Sequence, residues 1–178
     1  EYGYEVKMNQ IMKGESLVFH EIDILALTKD THYIIEAKYH NGRGIKTNVQ
    51  VAMYTFARLL DIAAQQRKKE SAKHKAWLVT NTKFTRSTIR YSLHKGIKLT
   101  GWNYPKKENL QALIEAKALY PVTILPSVSR YAKNQFAKHN LYFAKDLINL
   151  TPKQFQKLFG IQQKVSFNIQ SEAMALCA

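Results

Sequence analysis

Cysteine is nearly absent: the one thiol, Cys177, stands beside the C-terminus, which rules out an intrachain disulfide and a thiolate metal cage. That usage suits a reducing compartment such as the cytoplasm. Acidic residues are scarce, with 13 Asp and Glu against 27 Lys and Arg, for a formal net charge of +14. The excess runs through both the first 120 residues and the remainder, so the whole chain is drawn to polyanions. Long apolar runs are missing too. The best, "FARLLDIAA", is broken by Arg58 and Asp61 and falls short of the roughly 18 residues a membrane span needs, so no membrane association is expected. No secretory leader pattern opens the chain. "EYGYEV" lacks an initial Met and enters strand-like sequence at once, which reads as a piece of a longer protein. What is present is a 46% apolar content, enough for a packed core.

Periodicity organises the first part. "YEVKMNQIM" alternates as a half-buried strand, and Lys13–Ser16 turns into "SLVFHEIDILAL". In that second strand, alternation puts Val18, Ile22, Ile24 and Ala26 on one face, with Leu17, Phe19, Glu21, Asp23 and Leu25 on the other. A third strand, "YIIEAKYH", follows. Thr47 reads as the N-cap of a helix over about 48–68, then come a strand at "AWLVTNT", a helix at "RSTIRYSLHKG", a strand at "IKLTGWN" and a helix at "KENLQALIEAKALY". The order βββαβαβα implies an α/β fold, a mixed sheet flanked by helices, over residues 1–122. After Pro121 and Pro126, read as a stiff linker, residues 127–178 are helical in pattern, and Thr151-Pro152 is a good cap and first-turn pair.

The tripeptide Glu-Ala-Lys occurs twice, at Glu36–Lys38 and Glu115–Lys117. On a helix, residues two apart diverge by about 200°, so Glu115 and Lys117 read as surface. On a strand they point the same way, roughly 6.5 to 7 Å apart, so Glu36 and Lys38 present a carboxylate and an ammonium together. Asp23 interrupts an apolar run in the preceding strand and falls opposite Glu36 across the hairpin. Two adjacent carboxylates repel unless one is protonated or a cation joins them. A hard divalent ion with oxygen ligands resolves that conflict, and Lys38 beside it could orient or deprotonate a water or steady charge on a phosphate.

These residues resemble the PD-(D/E)xK, or restriction endonuclease-like, nuclease superfamily. "EIDILA" followed by "IIEAK" matches its Asp, then Glu-x-Lys pattern, and looks nearest to the Mrr-like and Holliday junction resolvase-like branches. Ile22 stands where the name-giving proline would be. The resemblance implies a restriction endonuclease-like core, Mg²⁺ (or Mn²⁺) dependence, DNA as partner, metal ligation by Asp23, Glu36 and the Ala37 carbonyl, and Lys38 as the catalytic lysine. Gln50 and Tyr54 are similar to a Gln-x-x-x-Tyr element that relatives place beside the site, Gln50 positioning and Tyr54 contacting DNA. The wider stretch also looks like proteins carrying an upstream ATP-cone.

Arg43, Lys46, Arg58, Lys83, Arg86, Arg90, Lys106 and Lys107 are expected phosphate contacts. His20, Glu21 and His40 are further polar residues near the proposed site, and Trp77 and Trp102, in strand-like segments, are expected in the core. The tail resembles a degenerate helix-hairpin-helix or SAM-like module. The expectation is a Mg²⁺-dependent DNA endonuclease; the alternatives are a non-catalytic DNA-binding or regulatory module on the same fold, and an RNA-processing enzyme. A homodimer is open, since nucleases that cut both strands often pair.

Overall fold

The computed structural model describes residues 2–42, 44–67 and 71–178. Its elements run β1 (Glu5–Lys13), β2 (Phe19–Leu27), β3 (Thr31–Lys38), β4 (Lys46–Thr47), α1 (Val49–Gln66), β5 (Lys73–Thr80), β6 (Lys83–Phe84), α2 (Arg86–Lys95), β7 (Lys98–Thr100) and α3 (Leu110–Glu115). A 3-10 turn at Val122–Ile124 then precedes α4 (Arg130–Lys138), α5 (Lys145–Ile148), α6 (Pro152–Phe159) and α7 (Gln163–Cys177). Two compact units divide the chain, Glu1–Ala112 and Leu113–Ala178.

In the first unit a five-stranded mixed sheet has the order β1-β2-β3-β5-β7. The first three strands form an antiparallel meander, while β3, β5 and β7 are parallel, joined through α1 and α2. Antiparallel neighbours need only short turns, whereas each parallel return needs a crossover helix. Period-two alternation in β5 sends Ala76 and Leu78 into the core against Ile34, Ala52, Leu59 and Ile62, while Trp77 stands on the other face beneath Lys98, whose Nζ lies 3.7 Å from the ring centre. The start of α1 is capped by Asn48, whose side chain accepts from the Val51 amide, and not by Thr47, which is spent in β4. Two-residue strands such as β4 and β6 leave too short a pattern for period two to register.

Strict alternation fails at one place. Ile22 and Leu25 both pack against the cluster built on Ile34, although residues three apart should face opposite ways. The reason is a lapse in pairing. On one side the β1–β2 register skips Asn9 opposite Asp23, and Asn9 takes φ 51°; on the other, the β2–β3 register ends at Ile24 with Ile35. Asn is among the few residues that enter this left-handed region readily. The expectation that Ile22 shares a face with Ile24 and Ala26 is therefore corrected: the strand kinks at Asp23, much as a β-bulge does.

The second unit is all-helical. Phe136, Phe155 and Phe159 meet edge to face with ring centres 5.0 to 6.2 Å apart, and Leu147, Ile161 and Ile169 close around them. Thr151 and Gln154 form a reciprocal capping box with Pro152 in the first turn, and Gly160, φ 65°, ends α6. Val122, Leu125 and Val128 are buried in this core, so the proline-flanked stretch read as a linker is packed structure.

Candidate active site

Glu36 is the most deeply buried carboxylate among the described residues, at 4% exposure. An ionised group there must be paired and hydrogen-bonded to persist. It is. Lys38 Nζ lies 2.6 Å from Oε1, the Tyr54 hydroxyl donates to Oε1 at 2.6 Å, and Arg58 Nη1 donates to Oε2 at 2.6 Å. Lys38 reaches Glu36 because residues two apart on a strand share a face. Tyr54 and Arg58 reach it because residues four apart on α1 do. Both cations also flank the Tyr54 ring, Lys38 Nζ at 5.5 Å and Arg58 Cζ at 5.4 Å from its centre.

The electrostatics follow from that crowding. Burial by itself would raise the Glu36 pKa, but hydrogen bonds from Lys38 and Tyr54 and the nearby positive charges outweigh it and hold the carboxyl below its ordinary value. Lys38 shows the mirror case: partial burial would lower it, and the hydrogen bonds to Glu36 and Tyr54 win, holding it above the usual lysine range. Burial, then the bond to Glu36, raises Tyr54. At neutral pH the cluster is thus a carboxylate, an ammonium, a guanidinium and a neutral phenol.

Asp23 lies at the break in pairing between β2 and its neighbours. Its Oδ2 accepts the Ala37 amide at 2.8 Å, taking the place of a ladder bond where β2 and β3 part. Its Oδ1 makes no hydrogen bond to a described group. Asp23, Glu36 and the Ala37 carbonyl are an all-oxygen donor set of the kind Mg²⁺ accepts, an ion that commonly takes one or two carboxylates and fills its shell with water and phosphate oxygens. Among the described residues no three acid, His or Cys side chains gather into a metal cage, so any metal here relies on those two carboxylates. The residues fit the ion in donor type.

The other expected residues fall into three groups. Gln50 lies one turn before Tyr54 on the same stripe of α1, exposed and without a hydrogen bond to Glu36 or Lys38. Arg58 donates through Nη1 to Glu36, and its side chain stays 23% exposed. Lys46 and Lys83 are exposed and face each other in the β4–β6 pair, Arg86 and Arg90 are exposed on α2, and Lys106 and Lys107 are exposed in the segment after β7. Arg43 lies outside the described residues. His20 is engaged elsewhere, with Nε2 2.7 Å from Asp61 Oδ2, while Ser16 bonds the same carboxylate through its amide and hydroxyl. The exposed Glu21 stays in the β1 ladder opposite Ile11.

Sequence reasoning missed a second layer around the end of β3. Asn81 holds His40 by both backbone groups, accepting its N–H at 2.8 Å and donating to its carbonyl at 2.9 Å. Buried Thr80 donates to the Lys38 carbonyl at 2.8 Å and accepts from Thr47 at 3.1 Å, which leaves the Thr47 oxygen as the acceptor of the hydrogen bond with His40 Nε2 at 3.2 Å. The one available signal was "TNT" closing a buried strand. Trp102, expected in the core, is 43% exposed: β7 stops at Thr100, and the Trp102 amide is held by the Thr82 carbonyl in the turn beyond.

An uncharacterised protein of Archaeoglobus fulgidus is 35% identical over 173 residues, covering 97% of this chain and 94% of that one. This chain belongs to the AF1548-like family. The family's C-terminal model matches residues 120–177. A crystal structure of a protein of unknown function, AF1548, superimposes with a TM-score of 0.76 at 34% identity, covering 99% of this chain and 90% of that one. A repair endonuclease from Pyrococcus abyssi shares 11% identity over 55% of this chain and 37% of its own, with a TM-score of 0.39, too little overlap to bear on chemistry. Among the described residues no helix is long and apolar enough to cross a membrane.

Proposed function

We propose that this AF1548-like chain is a metal-dependent DNA endonuclease with a restriction endonuclease-like core, acting in the cytoplasm. The observation that carries the reading is a nearly buried Glu36 held by Lys38, Tyr54 and Arg58, next in chain to Ala37, whose amide the Asp23 carboxylate of the neighbouring strand accepts at 2.8 Å.

Asp23, Glu36 and the Ala37 carbonyl would hold Mg²⁺, which would supply polarisation of a phosphoryl oxygen and neutralise charge on it. The chain's own groups do the rest. The Ala37 amide keeps Asp23 oriented. Lys38 holds its proton strongly, which favours a role as a fixed positive charge at the phosphate, or as an orienting donor to water, over one as the base that removes the water's proton. Tyr54 and Arg58 keep Glu36 ionised and in place. The net charge of +14 gives the affinity for DNA, to which the helical tail, similar to a helix-hairpin-helix, would add.

Nicking of supercoiled plasmid in Mg²⁺, abolished by EDTA and reduced at least ~100-fold in Asp23→Ala and Lys38→Ala, is the expected result. Cleavage that persists in EDTA, or that both variants retain, rules the proposal out. DNA binding with no cleavage under any metal would leave the non-catalytic module, and a strong preference for RNA would leave the processing enzyme.

A further inference from the structure

Past Lys38 the chain leaves β3 and, with the turns after β5 and β7, walls a cavity of about 400 Å³ lined in part by His40, Lys46, Asn81, Lys83 and Trp102. That size falls in the range of small-ligand sites, roughly 300–1,000 Å³. Nothing in the cleavage chemistry above uses it.

Three features define what it would hold. First, Lys46 and Lys83 are direct register partners in the parallel β4–β6 pair, so two exposed lysine side chains leave the backbone from adjacent positions. Like charges in such positions are destabilising, and neither lysine is ion-paired to a described carboxylate. A bound anion removes the conflict. Second, Trp102 contributes an indole at 43% exposure, while the other tryptophan, Trp77, is half-buried beneath Lys98. An exposed indole face stacks on nucleobases of any sequence. Third, the walls are braced: Asn81 clamps both backbone groups of His40, Trp102 is tied to Thr82, and the Thr80–Thr47–His40 chain links the cavity to the Lys38 carbonyl. A flat aromatic surface and a paired cation in one cavity of this volume match a nucleotide, base and phosphate together.

We propose that this cavity takes one unpaired nucleotide of the DNA strand, its base stacked on Trp102 and a phosphate between Lys46 and Lys83. Taken with the nuclease reading, on which the position relative to the cut rests, the site deepens that reading by naming the substrate class. His40, two residues past Lys38, lines the cavity, so on the nuclease reading the captured nucleotide would belong to the same stretch of strand as the scissile phosphate. An intact duplex would have to extrude a base to reach it, at the cost of unstacking and unpairing, whereas a single strand, flap or branched junction offers one already free. Substrates with an unpaired segment are therefore preferred to blunt duplex.

The test separates binding from cleavage. In EDTA, the full chain is titrated with short oligothymidine and with a blunt duplex of equal length, following tryptophan emission and the anisotropy of labelled strands. The single strand is expected to quench emission, and Trp102→Phe is expected to remove the quenched component while largely keeping affinity. Trp102→Ala should weaken single-strand binding roughly tenfold with an unchanged thermal midpoint. Lys46→Gln and Lys83→Gln should each lower the slope of log affinity against log salt by about one. Equal quenching by duplex, or single-strand affinity unchanged in Trp102→Ala, overturns the proposal. Because Asp23, Lys38 and metal take no part in this readout, quenching without any plasmid nicking in Mg²⁺ would uphold the cavity and sink the nuclease. Nicking without quenching would do the reverse.

Discussion

The two copies of Glu-Ala-Lys have the same covalent chemistry and opposite fates. At Glu36–Lys38 the tripeptide ends a central strand, and its acid is 4% exposed with three donors at 2.6 Å. At Glu115–Lys117 it straddles the last residue of α3 and the following turn, and all three residues are exposed. The backbone alone separates them. A strand keeps side chains two apart on one face, so the first copy can act as a unit; in the second copy both side chains are exposed, and exposed charge pairs contribute about 0–1 kcal/mol. A short motif thus acquires meaning from the element that carries it and from what the neighbouring elements aim at it.

The comparison is broken most severely by removing the buried acid. Glu36→Gln leaves Lys38 and Arg58, at 35% and 23% side-chain exposure, without their counter-charge. Stripping a buried pair of one partner typically costs about 3–5 kcal/mol, and the partial exposure of the two cations brings the expectation to about 2–3 kcal/mol, read by urea unfolding at neutral pH. Plasmid nicking should disappear in the same variant. A loss below about 0.5 kcal/mol would put this copy on a par with the exposed one.

Acid sharpens the contrast. The Glu36 pKa is lowered on folding, so its stabilisation is fully present above the unfolded carboxylate value of about 4.3 and is lost as pH falls through the lower folded value. Asp61 has the same sign: the bond to His20 first, then those to Ser16, hold it down to about 2. Denaturation midpoints measured from neutral pH towards ~3 should therefore fall in the wild type, less in Glu36→Gln, and least when Asp61→Asn is added. Lys38, raised on folding, contributes below its unfolded value of about 10.4, and that contribution is lost only as pH rises through the higher folded value, so it stays constant across this acid range.

Much of this contrast was legible in the residues. Alternation placed Glu36 and Lys38 together, Asp23 opposite them, and α1 above, because each rests on a period carried through several consecutive residues. The kink at Asp23 was not legible, since it depends on Asn9 entering a left-handed conformation on another strand. Nor was the choice of Arg58 as a partner of Glu36, because an arginine on a helix face reads equally well as a phosphate contact until the packing distance is known. The pocket beyond Lys38 was least visible: β4 and β6 are two residues each, and their pairing joins segments some 37 positions apart. Trp102 misled for a related reason, since an aromatic one turn past a strand has the same local sequence as one inside it.

A smaller break is Tyr54→Phe. It removes the hydroxyl that donates to Glu36 and keeps the ring against which Lys38 and Arg58 lie. Because the carboxylate retains both cations, the cost should be that of one ordinary hydrogen bond, about 1 kcal/mol in urea unfolding. Nicking should fall far less than in Asp23→Ala. A loss equal to that of Glu36→Gln would mean that the phenol, rather than the cations, keeps the acid ionised.

The smallest effect belongs to the exposed copy. Glu115→Gln and Lys117→Gln, singly or together, should shift stability by no more than about 0.5 kcal/mol, since contacts made by exposed charged side chains contribute little and an amide of similar size replaces each. The Lys117 carbonyl, which accepts from Lys145 Nζ at 3.1 Å, is backbone and survives either change. Nicking rates should match wild type. Were the double variant to lose activity while Glu36→Gln kept it, the backbone argument that separates the two copies would be inverted, and the chemistry would have to be sought in the second unit.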